Sequence, residues 1–315
     1  METNGPSLTR CLLAGLKTGN LESLADARPV DDLDAMSALH EIYDLWIAPI
    51  ESLHGAERLQ NHPALAALKW RLEERFVATL DGWVSSFGPA PVDVGEAMRR
   101  IARRSDDGIY DWLATSADWE QLVAFLAIEG GPDGGFDDMV ALCQVGIRGP
   151  AKVVFGANYW DEMGQGDPTA VHTSMHERLV AAIDMPVIAR SELPLSALYR
   201  TGLNGLLATN RWLQPEMIGA LGLLELQAGP RCRRVLRALE RLGAPADAFP
   251  FYEEHAVTDP MHGKAWLDDA VQPLIEANPA WANRIVRGAQ WRSEANGRLF
   301  AELNTLLDRR ILLSA

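Results

Sequence analysis

The sequence predicts an all-α protein. Apolar residues recur every three or four positions through almost every long segment, the spacing that lines them up on one helix face. Alternating, strand-like runs are nearly absent; β-branched character gathers only in AKVVFGANYW (151–160), and briefly. With 315 residues, 48% of them hydrophobic, the chain can bury a large core as one domain or two.

The helical period runs first through DAMSALHEIYDLWIAPIESL (34–53), HPALAALKWRLEERFVATLDGWVSSF (62–87) and VGEAMRRIARRS (94–105). DGIYDWLATSADWEQLVAFLAIEG (107–130) continues it in two pieces, with Ser116 or Asp118 placed to cap the second. Further helices are expected at about 137–148, 150–163, 168–183, 191–210, 214–227, 229–242, 245–277 and 279–311. Pro215 stands near a helix start, where a missing N–H costs little. Gly229–Pro230 reads as a stop, Gly243 and Pro245 end another helix, and 245–277 is expected to break near Pro260 and Pro273. Two Gly/Pro-rich stretches, FGPAPVDVG (87–95) and EGGPDGGFDD (129–138), read as loops. The organisation that results is an N-terminal helical region (1–105) followed by a helical core domain (106–315).

Charge and cysteine usage exclude several function classes. The net charge of −14 repels phosphate backbones and anionic membrane surfaces. The densest basic runs, MRRIARR (98–104) and RCRRVLRALERL (231–242), look like exposed helix faces interrupted by apolar residues, so no nucleic-acid or membrane partner is expected. Cys11, Cys143 and Cys232 lie far apart with no CxxC, which argues against a disulfide framework or a thiolate zinc site. The opening METNGPSLTRCLLAGLKTGN has neither the cationic start nor the long apolar core of a signal peptide, and no window approaches ~18 consecutive apolar residues. A cytoplasmic, reducing location is the expectation.

The chemistry gathers in a few places. FYEEHAVTDPMHGKAW (251–266) holds His255, Asp259 and His262 in a chain with seven histidines. On an α-helix those three side chains fall within ~60° of one another. They form either a metal half-site or a solvated polar face. Phe251, Tyr252, Val257, Met261, Trp266 and Leu267 surround them, and a buried imidazole or carboxylate needs a partner that a cation supplies. Pro260 inside the trio is expected to bend or loosen the helix.

One helix rarely completes a dinuclear site. Glu225 sits in the otherwise apolar GLLEL and is costly to bury alone; its plain alternative is a helix-end glutamate. NYWDEMGQGDPTAVHTSMHERL (158–179) offers Glu162 and His172, ~80° apart on a uniform helix but separated by a glycine break. His176 shares a face with His172 and rivals it as a ligand; Glu129, after LVAFLAI, is a further carboxylate. A ferritin-type bundle would need two Glu-x-x-His motifs, and only Glu51-Ser-Leu-His54 fits.

On these residues the sequence resembles the haem-oxygenase-like diiron oxidases, also described as iron-containing redox enzymes, over roughly residues 120 to 300. The matching parts are the NYWDEMGQG…VH segment, the single glutamate of the next long helix, and H-x3-D-x2-H about thirty residues on. The resemblance implies a haem-oxygenase-like helical bundle. It also implies a metal site of three histidines and three carboxylates, falling on Glu162, His172, Glu225, His255, Asp259 and His262, which would carry the catalysis as well. Glu129 is the nearest equivalent of a further carboxylate found in some members. Implied cofactors are two Fe(II) ions, one held less firmly, with O2 as co-substrate and an external electron donor. The implied substrate is a small amino acid or amine-bearing metabolite, oxidised by C–H cleavage, desaturation, cyclisation or N-oxygenation in specialised metabolism.

Two other readings keep the helical fold. One is a metal-free, thiaminase-like enzyme with Cys143 or Cys232 as nucleophile; the other is a non-catalytic interaction module. Folds of this kind commonly pair as homodimers, although no interface is legible in the sequence.

Overall fold

The computed structural model describes residues 7–84, 93–104, 108–129 and 135–308. Among these residues the regular structure is helical and no strand occurs. In chain order the α-helices are α1 (Leu8–Thr18), α2 (Asp32–Ile47), α3 (Pro63–Trp83), α4 (Val94–Arg104), α5 (Gly108–Thr115), α6 (Trp119–Glu129) and α7 (Phe136–Cys143). They continue with α8 (Pro150–Glu162), α9 (His172–Ala182), α10 (Leu195–Thr209), α11 (Gln214–Leu242), α12 (Pro250–Ala265), α13 (Gln272–Ala277) and α14 (Trp281–Asp308). Most of the two Gly/Pro-rich stretches, and the expected helix end at residue 311, lie outside the described residues.

By their internal contacts the described residues form two compact units. The first draws on Met1–Ser85 and Ala189–Arg211, the second on Ser86–Ile188 and Trp212–Ala315. In the first unit α10 packs on α2. Tyr199 stacks on Phe76 with ring centroids 5.7 Å apart and meets Trp83 edge-on at 5.1 Å. His40 Nε2 lies 3.0 Å from the Leu198 carbonyl, 158 positions away in the chain. No local pattern reports such a pairing, so a sequence boundary drawn near residue 105 leaves α10 with the second region. α4, on the other hand, packs on α11 and α14 of the second unit and buries Val94, Ala97 and Met98.

The second unit is built around α11, which runs 29 residues without a break and packs along α12, α14 and α5. This corrects the stop expected at Gly229–Pro230. Pro230 does deprive the Leu226 carbonyl of its helical donor. Packing outweighs that loss, because Val235, Ala238 and Leu239 beyond the proline are all buried. Gly229 marks a helix crossing instead: a Cβ there would lie 2.8 Å from Cγ of Pro260 on α12.

Nor does Pro260 interrupt α12, which passes through it as one helix. The Ala256 carbonyl, whose helical partner the proline removes, accepts from Arg233 Nη1 at 2.9 Å. Regular geometry changes only after Ala265, where Trp266–Val271 form a π-helical turn. That turn seats the fully buried Trp266, whose Nε1 donates to the Ile218 carbonyl at 3.0 Å. Pro273 then stands in the first turn of α13, where its missing N–H is tolerated.

Candidate metal centre

Four helices of the second unit deliver the six side chains singled out from the sequence. Glu162 is the last residue of α8 and His172 the first of α9. Between them Gly164, Gln165 and Gly166 have φ of 59°, 53° and 93°. A Cβ on Gly164 would stand 2.5 Å from the Ala170 carbonyl carbon, so this turn closes only on glycine. It brings His172 Nδ1 to 2.7 Å from Glu162 Oε2. His255 of α12 completes a first triad, its ring centroid 4.5 Å from that of His172.

The second triad joins Glu225 of α11 to Asp259 and His262 of α12. Here the two helices touch closely: a Cβ on Gly263 would lie 3.2 Å from the Glu225 carbonyl oxygen. His262 Nδ1 is 3.6 Å from Glu225 Oε2. In each triad the three ligand-type atoms lie within 4.8 Å of one another. Donors roughly 2.0–2.2 Å from a common ion sit at a similar mutual spacing.

The electrostatics call for a cation. Glu162, His172, Glu225 and Asp259 are only 3–4% exposed, and among the described residues no lysine or arginine pairs with the three carboxylates. Burial pushes the Asp259 carboxyl well above its ordinary range, and repulsion from Glu225, Glu162 and Glu254 adds to this. Glu225 is pushed up as well, by burial first, although His262 and Asn158 pull the other way. Burial and the neighbouring His172 push His255 down, so its imidazole is held neutral, as a metal ligand must be.

Hydrogen bonding leaves the converging atoms unsatisfied. His172 Nδ1, Asp259 Oδ2 and His262 Nδ1 are buried without a hydrogen-bond partner. The 2.7 Å approach of Glu162 to His172 thus lacks hydrogen-bond alignment. Donor atoms that meet head-on in this way fit ions bound by imidazole and carboxylate. The outward-facing atoms, by comparison, are held. His255 Nδ1 lies 2.7 Å from the Phe251 carbonyl, and Asn158 Nδ2 donates to Glu225 Oε1 at 2.7 Å. His262 Nε2 lies 2.8 Å from Asp161 Oδ2, and Gln165 Nε2 donates to Asp161 Oδ1 at 2.8 Å.

Sequence reasoning did not single out Asn158 or Asp161. Asn158 precedes Glu162 by one helical turn on the same face, a signal that was available; Asp161 showed only as half of an acidic pair. The rival ligand His176 and the further carboxylate Glu129 fall in neither triad. His176 meets the Phe251 ring edge-on at 5.4 Å, and Glu129 ends α6 with the Tyr110 hydroxyl 3.4 Å away. Glu51 and His54 are exposed and outside any α-helix.

Neither core thiol suits a nucleophile. Cys143 and Cys232 are buried, and burial is the largest cause pushing both thiols up.

A family model described as iron-containing redox enzyme matches residues 125–297, more than half of the 315-residue chain. The chain belongs to the iron-containing redox enzyme family. The match takes in α7 through α13 whole, and with them all six side chains of the two triads. This iron-containing redox enzyme therefore has the all-α, haem-oxygenase-like bundle that the resemblance implied, and it is an oxidoreductase whose family uses iron. Among curated proteins, none matches the chain. No described helix of the enzyme is long and apolar enough to cross a membrane.

Proposed function

We propose that this iron-containing redox enzyme is a nonhaem diiron oxidase that uses O2 to oxidise a small amino acid or amine-bearing metabolite. The observation that carries the reading is the convergence of six side chains from four helices into two triads, in which His172 Nδ1, Asp259 Oδ2 and His262 Nδ1 are buried without hydrogen-bond partners. The triads adjoin: the rings of His172 and His255 in the first are neighbours, and Asp259 in the second is repelled by Glu162 in the first. Three imidazoles and three carboxylates without thiolate suit iron or manganese better than structural zinc.

When bound, the two ferrous ions supply the redox chemistry with O2, and an external donor supplies any electrons the substrate does not. The chain's own residues do the rest. Glu162, His172 and His255 would hold one ion; Glu225, Asp259 and His262 would hold the other. The Phe251 carbonyl holds the proton of His255 on Nδ1, which leaves Nε2 for the ligand role. Burial of the carboxylates keeps bulk water away.

A recess of about 180 Å³ beside the second triad supports a small substrate with an apolar part. Val153, Val154, Ala157 and Ala265 wall it, and Asn158 and His262 reach it. Asn158 also carries a buried Oδ1 acceptor without a partner.

The reading is tested by loading the purified chain with Fe(II) anaerobically, counting iron, and mixing with O2 across a panel of amino acids and amines. Two irons are expected, or one with a second taken up alongside substrate. One member of the panel should trigger an absorbance change in stopped flow and yield an oxidised product by mass. A chain that binds no Fe(II), or consumes no O2 with any of them, overturns the proposal.

A further inference from the structure

We infer that Asp161 is the positioning residue of the Glu225–Asp259–His262 triad: it holds the Nε2 proton of His262 and thereby makes Nδ1 the ligand atom. The inference rests on the dinuclear reading above. Its evidence is an asymmetry between the two α12 histidines. His255, a member of the first triad, is tied through Nδ1 to the Phe251 carbonyl, so Nε2 is its nitrogen left for a ligand role. His262 is tied through the opposite nitrogen, with Nε2 at 2.8 Å from Asp161 Oδ2. Its Nδ1 is buried, has no hydrogen-bond partner, and points toward Glu225 at 3.6 Å.

The two outer partners differ in kind. A backbone carbonyl is a neutral acceptor, whereas a carboxylate is a charged one that raises the basicity of the imidazole it holds. Asp161 is itself braced, because Gln165 donates to its second oxygen at 2.8 Å. Gln165 does so from a left-handed backbone, φ 53°, which a residue with a Cβ adopts at a cost. The same turn that returns His172 to Glu162 therefore steadies Asp161. Adjacent residues at the end of α8 serve different triads, Glu162 the first and Asp161 the second.

Two backgrounds isolate the triads: H255A leaves the second intact, and E225Q leaves the first. Co(II) titration of the full-length chain, followed by visible absorbance, measures affinity and ligand geometry in each. In the H255A background Asp161→Ala is expected to weaken Co(II) roughly 10–100-fold and to shift the visible bands. Asp161→Asn, which keeps an acceptor at the same place, should recover part of the loss and carries the test if the alanine variant melts. Gln165→Ala should give a smaller loss in that background. In the E225Q background all three changes should leave affinity and spectrum alone. Equal losses in both backgrounds, or no loss in H255A, overturn the assignment. Failure of the unaltered chain to bind Co(II) overturns the dinuclear reading itself, and the inference with it.

Discussion

Arg233 of α11 donates to the Ala256 carbonyl of α12 at 2.9 Å, and that carbonyl is the one Pro260 leaves without its helical N–H. A bond from a neighbouring helix replaces a bond within the helix. Residues 255, 259 and 262 therefore stay on one stripe through a proline. Arg233 is exposed, so Arg233→Ala is expected to cost about 1 kcal/mol. In a Pro260→Ala background the helical N–H returns, and the same change should cost much less. Urea denaturation of the four proteins gives the coupling; equal costs in both backgrounds would refute the replacement.

Asp259→Asn should separate stability from metal binding. In the metal-free protein burial first, and repulsion from Glu225, Glu162 and Glu254 next, disfavour the charged form of Asp259; the amide has no charged form and nearly the same volume. The variant's metal-free melting temperature is expected to equal or exceed that of the parent, while its iron content falls and turnover is lost. A large drop in metal-free stability would show that Asp259 supports the fold instead.

The metal-free protein should lose stability as pH rises from 6.5 to 9. Burial disfavours the charged form of His262, but the Glu225 and Asp161 carboxylates outweigh it and push the pKa from 6.5 up to about 9. Between those values the folded chain holds a proton that the unfolded chain has released, so raising the pH favours unfolding. Asp259, raised well above 3.8, acts with the same sign. Burial pushes His40 and His176 down to about 4; they act in the opposite sense, but only between that value and 6.5. Metal binding requires His262 to give up its proton, so the stabilisation by metal should grow over the same range, with protons released on binding. Melting curves with chelator and with Mn(II) at several pH values decide this; a metal-free protein that gains stability toward pH 9 contradicts it.

His172→Ala should strip iron from the first triad, while His176→Ala should leave iron loading near the parental level. The two residues share a face of α9, but only His172 lies with Glu162 and His255. Metal analysis of both variants is enough, and the reverse result would exchange their roles.

The Cys143→Ala, Cys232→Ala double variant should retain iron and O2-dependent turnover. Both thiols are pushed up by burial and lie in neither triad. Loss of turnover at full iron content would restore a cysteine mechanism.

Much of this protein was legible in local spacing. A 3.6-residue period is written in residues three and four apart, so the all-α class and most helices follow from the sequence alone. The same period aligned His255, Asp259 and His262. Glu225 stood out in an otherwise apolar stretch, whereas Glu162 and His172 were offered by their segment and assigned as ligands only through the family resemblance.

Tertiary structure decided how these pieces meet. It divided the α12 stripe between two triads, carried helices through Pro230 and Pro260, and set α10 beside α2. It also placed Asn158 on Glu225, 67 positions away, and Asp161 on His262, 101 positions away. The physical reason is the range of the forces involved. Helix propensity is settled within one or two turns of chain. Satisfying a stranded carbonyl, closing two helices over glycine, or gathering buried carboxylates depends on partners that only packing brings together.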